Sequence, residues 1–353
     1  MTAEAKANVT LARPNEAFRA FCSHLEEHGI PAEPSAGSGV VFRYDGFEVH
    51  IAERADSLGF VVQAPSANIL YFVKEAVVQH LSEIEPDAAL ALRWSDGGAA
   101  ARPPNFQLAT VESCEPVHDM MIRLRLQVDD CAALGTDGLH IKLMVPTDAD
   151  REPVWPAVAE NGTTDWPHGP DRLHVRYYTI RSFDLARKTV TIDVVRHYGG
   201  RIAEWVSSAG KGATLGLMGP GGGGIPKTGG RMFLAGDYTA LPAIARILEA
   251  LPADAEGTVL VTARQPGSGR RYLPETSLSV CEVEDAGLHA EASRIVGEEA
   301  DIQYAWFGGE FTEAQAMRKM FKQVLGLDKD HQLSVAYWRR GKETDASLGD
   351  HDD

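Results

Sequence analysis

Arg176-Tyr-Tyr-Thr-Ile-Arg181 ends a β-rich stretch and brings cations, phenol rings and a hydroxyl into one short run. Within it, Arg176, Tyr178 and Thr179 offer a guanidinium that can fork onto a phosphate, a flat ring, and a hydrogen-bonding hydroxyl. The same residue types suit plain pleated sheet, where aromatic and β-branched side chains pack well. The order of features downstream weighs against that plainer reading. They are Asp193-x-x-x-His197, Trp205, Gly219-Pro-Gly221, Leu234-Ala-Gly-Asp237, Trp306-Phe307 and Tyr337-Trp-Arg-Arg340.

Around this run the chain divides by rhythm. From about Phe106 to Pro220 short β-like runs follow one another: Gln107–Val111, Met121–Val128, Leu139–Val145, His174–Ser182, Thr189–Arg196 and Ala213–Leu217. Only Ile202–Ser207 reads as a helix there, and many short strands with Gly and Pro turns predict a barrel. From Gly230 to Tyr337 strand-like runs at Met232–Ala235, Thr258–Ala263, Leu278–Val283, Gln303–Phe307 and Gln332–Tyr337 alternate with helical patterns. That alternation predicts a parallel, doubly wound α/β sheet, which takes nucleotides at the carboxyl ends of its strands.

The first part of the chain reads as a small α+β module over 13–96. Phe18, Phe21, Cys22 and Leu25 mark one face of a helix, Asp45-Gly46 joins two strands, and a second helix starts near Ser66. Gly97 to Pro104 lacks periodicity and reads as a linker. In the first helix His24-Leu-Glu-Glu-His28 matches a zinc-peptidase pattern, but no third ligand is evident, so a solvated helix face is expected and no metal.

The chain has 353 residues, enough for two or three domains, and is 44% hydrophobic and 24% charged. A net charge of −16 argues against nucleic acid as a partner, because phosphate backbones need a basic face. No apolar run is long enough to span a membrane, and a cytoplasmic protein is expected. Cys22, Cys114, Cys131 and Cys281 are scattered without a Cys-x-x-Cys pair, so neither an iron–sulfur cluster nor structural zinc is expected.

From about Phe106 to Gly341 the ordered motifs resemble the siderophore-interacting protein family of FAD-dependent ferric-siderophore reductases. The resemblance implies a ferredoxin-reductase-like β-barrel FAD domain over 106–222 and an NAD(P)H-binding α/β domain over 230–341; the tail over 342–353, ending Gly-Asp-His-Asp-Asp353, reads by composition as disordered. The resemblance also implies that Arg176 pairs with the FAD pyrophosphate, Tyr178 stacks on the flavin, and Thr179, the candidate catalytic residue, hydrogen-bonds near N5. His197 and the segment from Gly200 to Trp205 would meet the FAD phosphates, with Ala203 standing where the family often has a hydroxyl residue. Asp237 and Thr239 would line the nicotinamide nucleotide site. Arg264, Arg270 and Arg271 end the second sheet strand, where arginines suit a 2′-phosphate; a purely solubilising role is the other reading. His140-Ile-Lys142-Leu and Tyr337-Trp-Arg339 match two more family stretches, making Lys142 and Arg339 the candidates to hold an anionic ferric siderophore.

Gly219-Pro-Gly-Gly-Gly-Gly224 is neither a Walker loop nor a dinucleotide fingerprint, because Lys227 follows Pro226 and no helix opens after it. It reads instead as a hinge and a roomy edge of the flavin pocket. The function expected is electron transfer from NADPH or NADH through FAD to a ferric siderophore, with ferredoxin as an alternative donor. Two rivals remain: a flavin reductase with another acceptor, and a non-catalytic carrier of an iron chelate or haem.

Overall fold

The computed structural model describes residues 3–27, 30–35, 39–44, 46–135, 138–196, 200–222, 224–226, 230–299 and 301–341. The tail expected over 342–353 lies outside them, as do His28 and His197. The described chain forms two compact units.

The first unit runs up to Phe106 and also takes in Asp148–Arg172. Its elements are β1 (Ala3–Thr10), α1 (Pro14–Glu27), β2 (Glu33–Pro34), β3 (Gly39–Tyr44), β4 (Phe47–Glu53), β5 (Ser57–Ala64), α2 (Ala67–Ile84) and α3 (Pro86–Ala91). The strands form one sheet in the order β1-β5-β4-β3-β2. Helix α1 contributes Phe21 and Leu25 to the core, and α2 contributes Leu70, Val73, Val77 and Leu81. Ser66 caps α2, its Oγ accepting the Ile69 amide at 3.3 Å, which uses one otherwise unpaired donor of the first turn.

Strand β1 escapes sequence reading because its buried side chains include only Ala5, Ala7 and Val9. Alternating alanine has too little apolar surface to stand out against Glu4, Lys6 and Asn8. The 148–172 segment holds β9 (Ala157–Val158) and β10 (Thr164–Asp165), paired antiparallel. Glu75 on α2 accepts both the Thr164 amide, at 2.7 Å, and the Thr164 hydroxyl, at 2.6 Å. The Tyr71 hydroxyl lies 2.9 Å from the same Thr164 oxygen. Val158 exchanges backbone hydrogen bonds with Ala100 and Ala101, so part of the expected linker is paired.

In the second unit, β6 (Phe106–His118), β7 (Met121–Val128), β8 (His140–Pro146), β11 (Leu173–Asp184), β12 (Thr189–Val195) and β13 (Thr214–Gly221) close a barrel in the order β11-β12-β7-β6-β13-β8. Alternation fills it with Leu124, Leu126, Leu143, Ile192 and Leu217, and α4 (Arg201–Ser208) adds Ile202, Ala203 and Val206 to the same cluster. The strands β14 (Arg231–Gly236), β15 (Glu256–Thr262), β16 (Ser279–Val283), β17 (Tyr304–Glu310) and β18 (Gln332–Trp338) form a parallel sheet ordered β16-β15-β14-β17-β18. Helix α5 (Leu241–Ala250) packs into one core cluster of this sheet; α7 (Leu288–Glu298) and α8 (Phe311–Gln323) share the other. Between β15 and β16 the short helix α6 (Ser268–Tyr272) occupies the Gly-Ser run that reads as loop in sequence.

Candidate functional site

Strand β11 presents its two faces through its pairing with β8. Arg176 stands opposite Leu143 and Tyr178 opposite Ile141, while Tyr177 faces Lys142 and Thr179 faces His140. Period-two alternation therefore gives Arg176 and Tyr178 one face, and Tyr177 and Thr179 the other. Arg176 donates Nη1 to the Val175 carbonyl at 2.8 Å and makes no ion pair among the described residues. Tyr178 is half-buried, and desolvation raises its phenol above the ordinary range, with Arg176 pulling the other way.

Thr179 is buried at 4% exposure, and its hydroxyl is hydrogen-bonded to Tyr337. The Tyr337 hydroxyl also lies 2.7 Å from His140 Nε2 across 197 residues of chain. Burial, then Arg246, lowers the His140 pKa to about 4, so the ring is neutral around pH 7 and one nitrogen must accept. Burial and the charge of Asp237 push the Tyr337 phenol upward. This neutral cluster joins the β8–β11 edge of the barrel to β18, and period or motif reading gives no sign of it.

The strand order makes the gap between β14 and β17 the point where the sheet reverses, the usual ligand crevice of such folds. Asp237 follows β14 there. Its Oδ1 accepts the Thr239 amide at 2.8 Å and hydroxyl at 2.5 Å, and its Oδ2 accepts Trp338 Nε1 at 2.8 Å. Desolvation raises its pKa against those hydrogen bonds. The opposite wall is the Gly308-Gly309 backbone of β17: a Cβ on Gly309 would come within 2.9 Å of Asp237 Oδ2. Sequence reading named Asp237 and Thr239 as candidates and did not mark Gly309, where a side chain would crowd the Asp237 carboxylate.

Among the described residues, three buried hydroxyls near the carboxyl ends of β14 and β15 have no hydrogen-bond partner: Tyr238, Thr262 and Ser268. Burial raises the Tyr238 phenol to about 12, which keeps it a neutral donor. Arg264, Arg270 and Arg271 are exposed beside them and form no ion pair among the described residues. Arg270 and Arg271 lie in α6 rather than in a loop. Glu282 holds the start of that helix, accepting the Gly267 amide at 2.5 Å and the Arg270 amide at 2.6 Å.

Lys142 Nζ lies 5.3 Å from the Tyr177 ring centre, and the Arg339 guanidinium lies 4.3 Å from that of Phe311. Each candidate substrate cation thus has its own aromatic support. Helix α4 starts at Gly200 without a side-chain cap, leaving first-turn amides, Ala203 among them, to other partners. Trp205 is half-buried against the barrel core. In the glycine run Gly221 and Gly224 face open space, whereas a Cβ on Gly222 would meet His140 Nδ1 at 2.6 Å.

Among the described residues, an arginine without a carboxylate partner, a half-exposed phenol beside it and a helix start without a side-chain cap suit a flavin dinucleotide. The unpartnered hydroxyls and exposed arginines suit a second nucleotide. Barrel and sheet together define the ferredoxin-reductase-like class of FAD-binding folds.

Comparison with known proteins gives the family. A model of the siderophore-interacting FAD-binding domain matches residues 110–224, and one of the siderophore-interacting protein matches 230–341. The chain belongs to the siderophore-interacting protein family. Residues 6–95 match a model described as an uncharacterized protein conserved in bacteria. The ferric vibriobactin reductase ViuB of Vibrio cholerae is 29% identical over 238 residues, 64% of this chain and 86% of that one. The ferric acinetobactin reductase of Acinetobacter baumannii is 28% identical over 176 residues, 47% of this chain and 61% of that one. The crystal structure of a siderophore utilization protein from T. fusca superposes with a TM-score of 0.57 at 27% identity, covering 67% and 94% of the two chains. Among the described residues no helix is long and apolar enough to cross a membrane.

Proposed function

We propose that this protein reduces ferric siderophores in the cytoplasm with electrons from NADPH or NADH, through FAD held between residues 106 and 222. The observation that carries the proposal is Arg176, with no carboxylate partner among the described residues, beside Tyr178 on one face of a barrel strand in a chain of this family. FAD, when bound, supplies the conversion of a two-electron hydride donor into single electrons for Fe(III).

The chain's own residues bind and orient. Arg176 holds the pyrophosphate of FAD, assisted by the first-turn amides of α4 around Ala203, with Trp205 fixing that helix to the barrel. Tyr178 offers its ring to the flavin. Thr179, tied to Tyr337, fixes the strand edge where flavin N5 would lie. Asp237 and Thr239 orient the nicotinamide nucleotide from the α/β domain, 230–341. Lys142 and Arg339 neutralise the anionic chelate, while His197 would add to the FAD phosphate site.

The test is anaerobic mixing of the purified protein first with NADPH or NADH, then with a ferric siderophore, following flavin absorbance. Bleaching by the nucleotide and recovery on adding the chelate are expected. Flavin that stays reduced after the ferric siderophore is added defeats the substrate assignment.

Two predictions refine it. Lys142→Ala and Arg339→Ala are each expected to raise KM for an anionic ferric siderophore several-fold, about 0.5–1 kcal/mol for half-buried cations that solvent still screens. Flavin reduction by the nucleotide should change little, and added salt should weaken chelate binding. Unchanged chelate kinetics in both variants removes these residues from the site. Separately, NADPH should be preferred over NADH by more than about tenfold, because a forked arginine–phosphate contact contributes a few kcal/mol when partly desolvated. Changing Arg264, Arg270 and Arg271 together to alanine should abolish the preference; equal use of both nucleotides by the wild type ends the idea.

A further inference from the structure

We propose that His24, His80 and Glu83 form a binding site for a divalent first-row transition ion in the first unit. The pattern at His24 lacked a third ligand in sequence because the missing donors come from the other helix. His24 projects from α1, while His80 and Glu83, three residues apart, share a face of α2. The solvated face expected around His24 is not what the fold makes of it: the His24 side chain retains 17% exposure.

The distances favour one ion. His24 Nε2 lies 2.9 Å from His80 Nδ1 and 3.4 Å from Glu83 Oε2. One donor atom from each of the three residues falls within 4.8 Å of the others. Nitrogen and oxygen donors bind such ions at about 2.0–2.2 Å, and the angle between two donors then sets how far apart they stand. From right-angled to tetrahedral that spacing spans about 2.8–3.6 Å, which takes in both separations, 2.9 and 3.4 Å. The rings meet edge to face with centres 5.0 Å apart, an orientation that lets two nitrogens converge without stacking.

The donor set selects the ion class. Two imidazoles and one carboxylate suit Fe(II), Co(II) or Zn(II), whereas Ca(II) and Mg(II) require oxygen ligands. Phe21 and Leu25 flank His24, and Val77 and Leu81 flank His80, all of them in the core. Packing therefore sets the spacing of the two helices, and with it the geometry of the site. Glu83, half-exposed at 50%, leaves a side open to solvent for further ligands. A hydrogen-bonded His–His–Glu chain without an ion would use the same contacts, and binding measurements separate the two. The inference does not depend on the reductase reading, although Fe(II), the product of that reaction, is an ion of this class.

The experiment uses the full chain, stripped with a chelator, titrated with Zn(II) by calorimetry and with Co(II) by visible absorbance. One saturable equivalent with ligand-field bands is expected. Loss of an outer-shell partner alone costs about 10–100-fold in metal affinity, so His24→Ala and His80→Ala should each lose at least about 100-fold. His24→Asn and Glu83→Gln guard against misfolding, with circular dichroism and flavin content as the fold readouts. His289→Ala, at an exposed histidine on α7, should bind as wild type. Absence of saturable binding in the wild type, or equal affinity in the folded His24 and Glu83 variants, overturns the site.

Discussion

Arg176→Ala is expected to bind FAD about 10–150-fold more weakly while keeping its fold, since a charge-assisted hydrogen bond contributes about 1.5–3 kcal/mol. The fold should survive because, among the described residues, the guanidinium bonds only to the neighbouring Val175 carbonyl. The reading is the ratio of flavin to protein absorbance after purification, then a titration of the stripped protein with FAD. Full occupancy at unchanged affinity would end the assignment of Arg176 to the pyrophosphate. Arg176→Lys should recover part of the affinity, because it restores the charge but not the fork.

A larger effect on stability is expected at Asp193. Its side chain is buried, and its two oxygens take Arg123 Nε and Nη2 at 2.8 Å each. The Tyr272 hydroxyl of α6 donates to the same carboxylate. The hydrogen bond to Asp193 raises the Arg123 pKa, and burial, then the Asp193 charge, raises the Tyr272 phenol. Removing one partner of a buried pair typically costs about 3–5 kcal/mol, because the other charge stays buried and unpaired. With Arg123 about a third exposed, Asp193→Ala should fall at the lower end of that range. Urea unfolding should show it as a shifted midpoint, with Asp193→Asn losing less; a loss below about 1 kcal/mol would mean that water replaces the carboxylate.

Much of the second unit was legible because its signals are local. Six β-like runs with one intervening helix pattern, then strands alternating with helices, correspond to the barrel and the parallel sheet. What stayed hidden depends on contacts across the chain. Thr179 reads as one third of a motif, yet its hydroxyl partner is Tyr337, which belongs to another motif. Asp193 reads as a spacing marker, and only the fold reveals that it holds Arg123 and Tyr272. His24 reads as half of a failed zinc pattern because His80 and Glu83 come from α2. Glu310 caps α8 through the Thr312 and Glu313 amides, yet glutamate is not among the usual capping residues, so nothing local marks it.

The segment from Asp148 to Arg172 has a consequence for the order of synthesis. Chains emerge from the ribosome amino end first, and early domains generally fold as units before later ones are made. Here the first unit is incomplete when Phe106 emerges, because Glu75 and Tyr71 still await Thr164. Strands β6, β7 and β8 must be translated before those partners arrive, and β11, β12 and β13 come later still. A nascent chain arrested at Phe106 should therefore be open to proteases around α2, and one arrested beyond Arg172 should be protected there. The half-made barrel must wait while its neighbour in the sequence finishes folding.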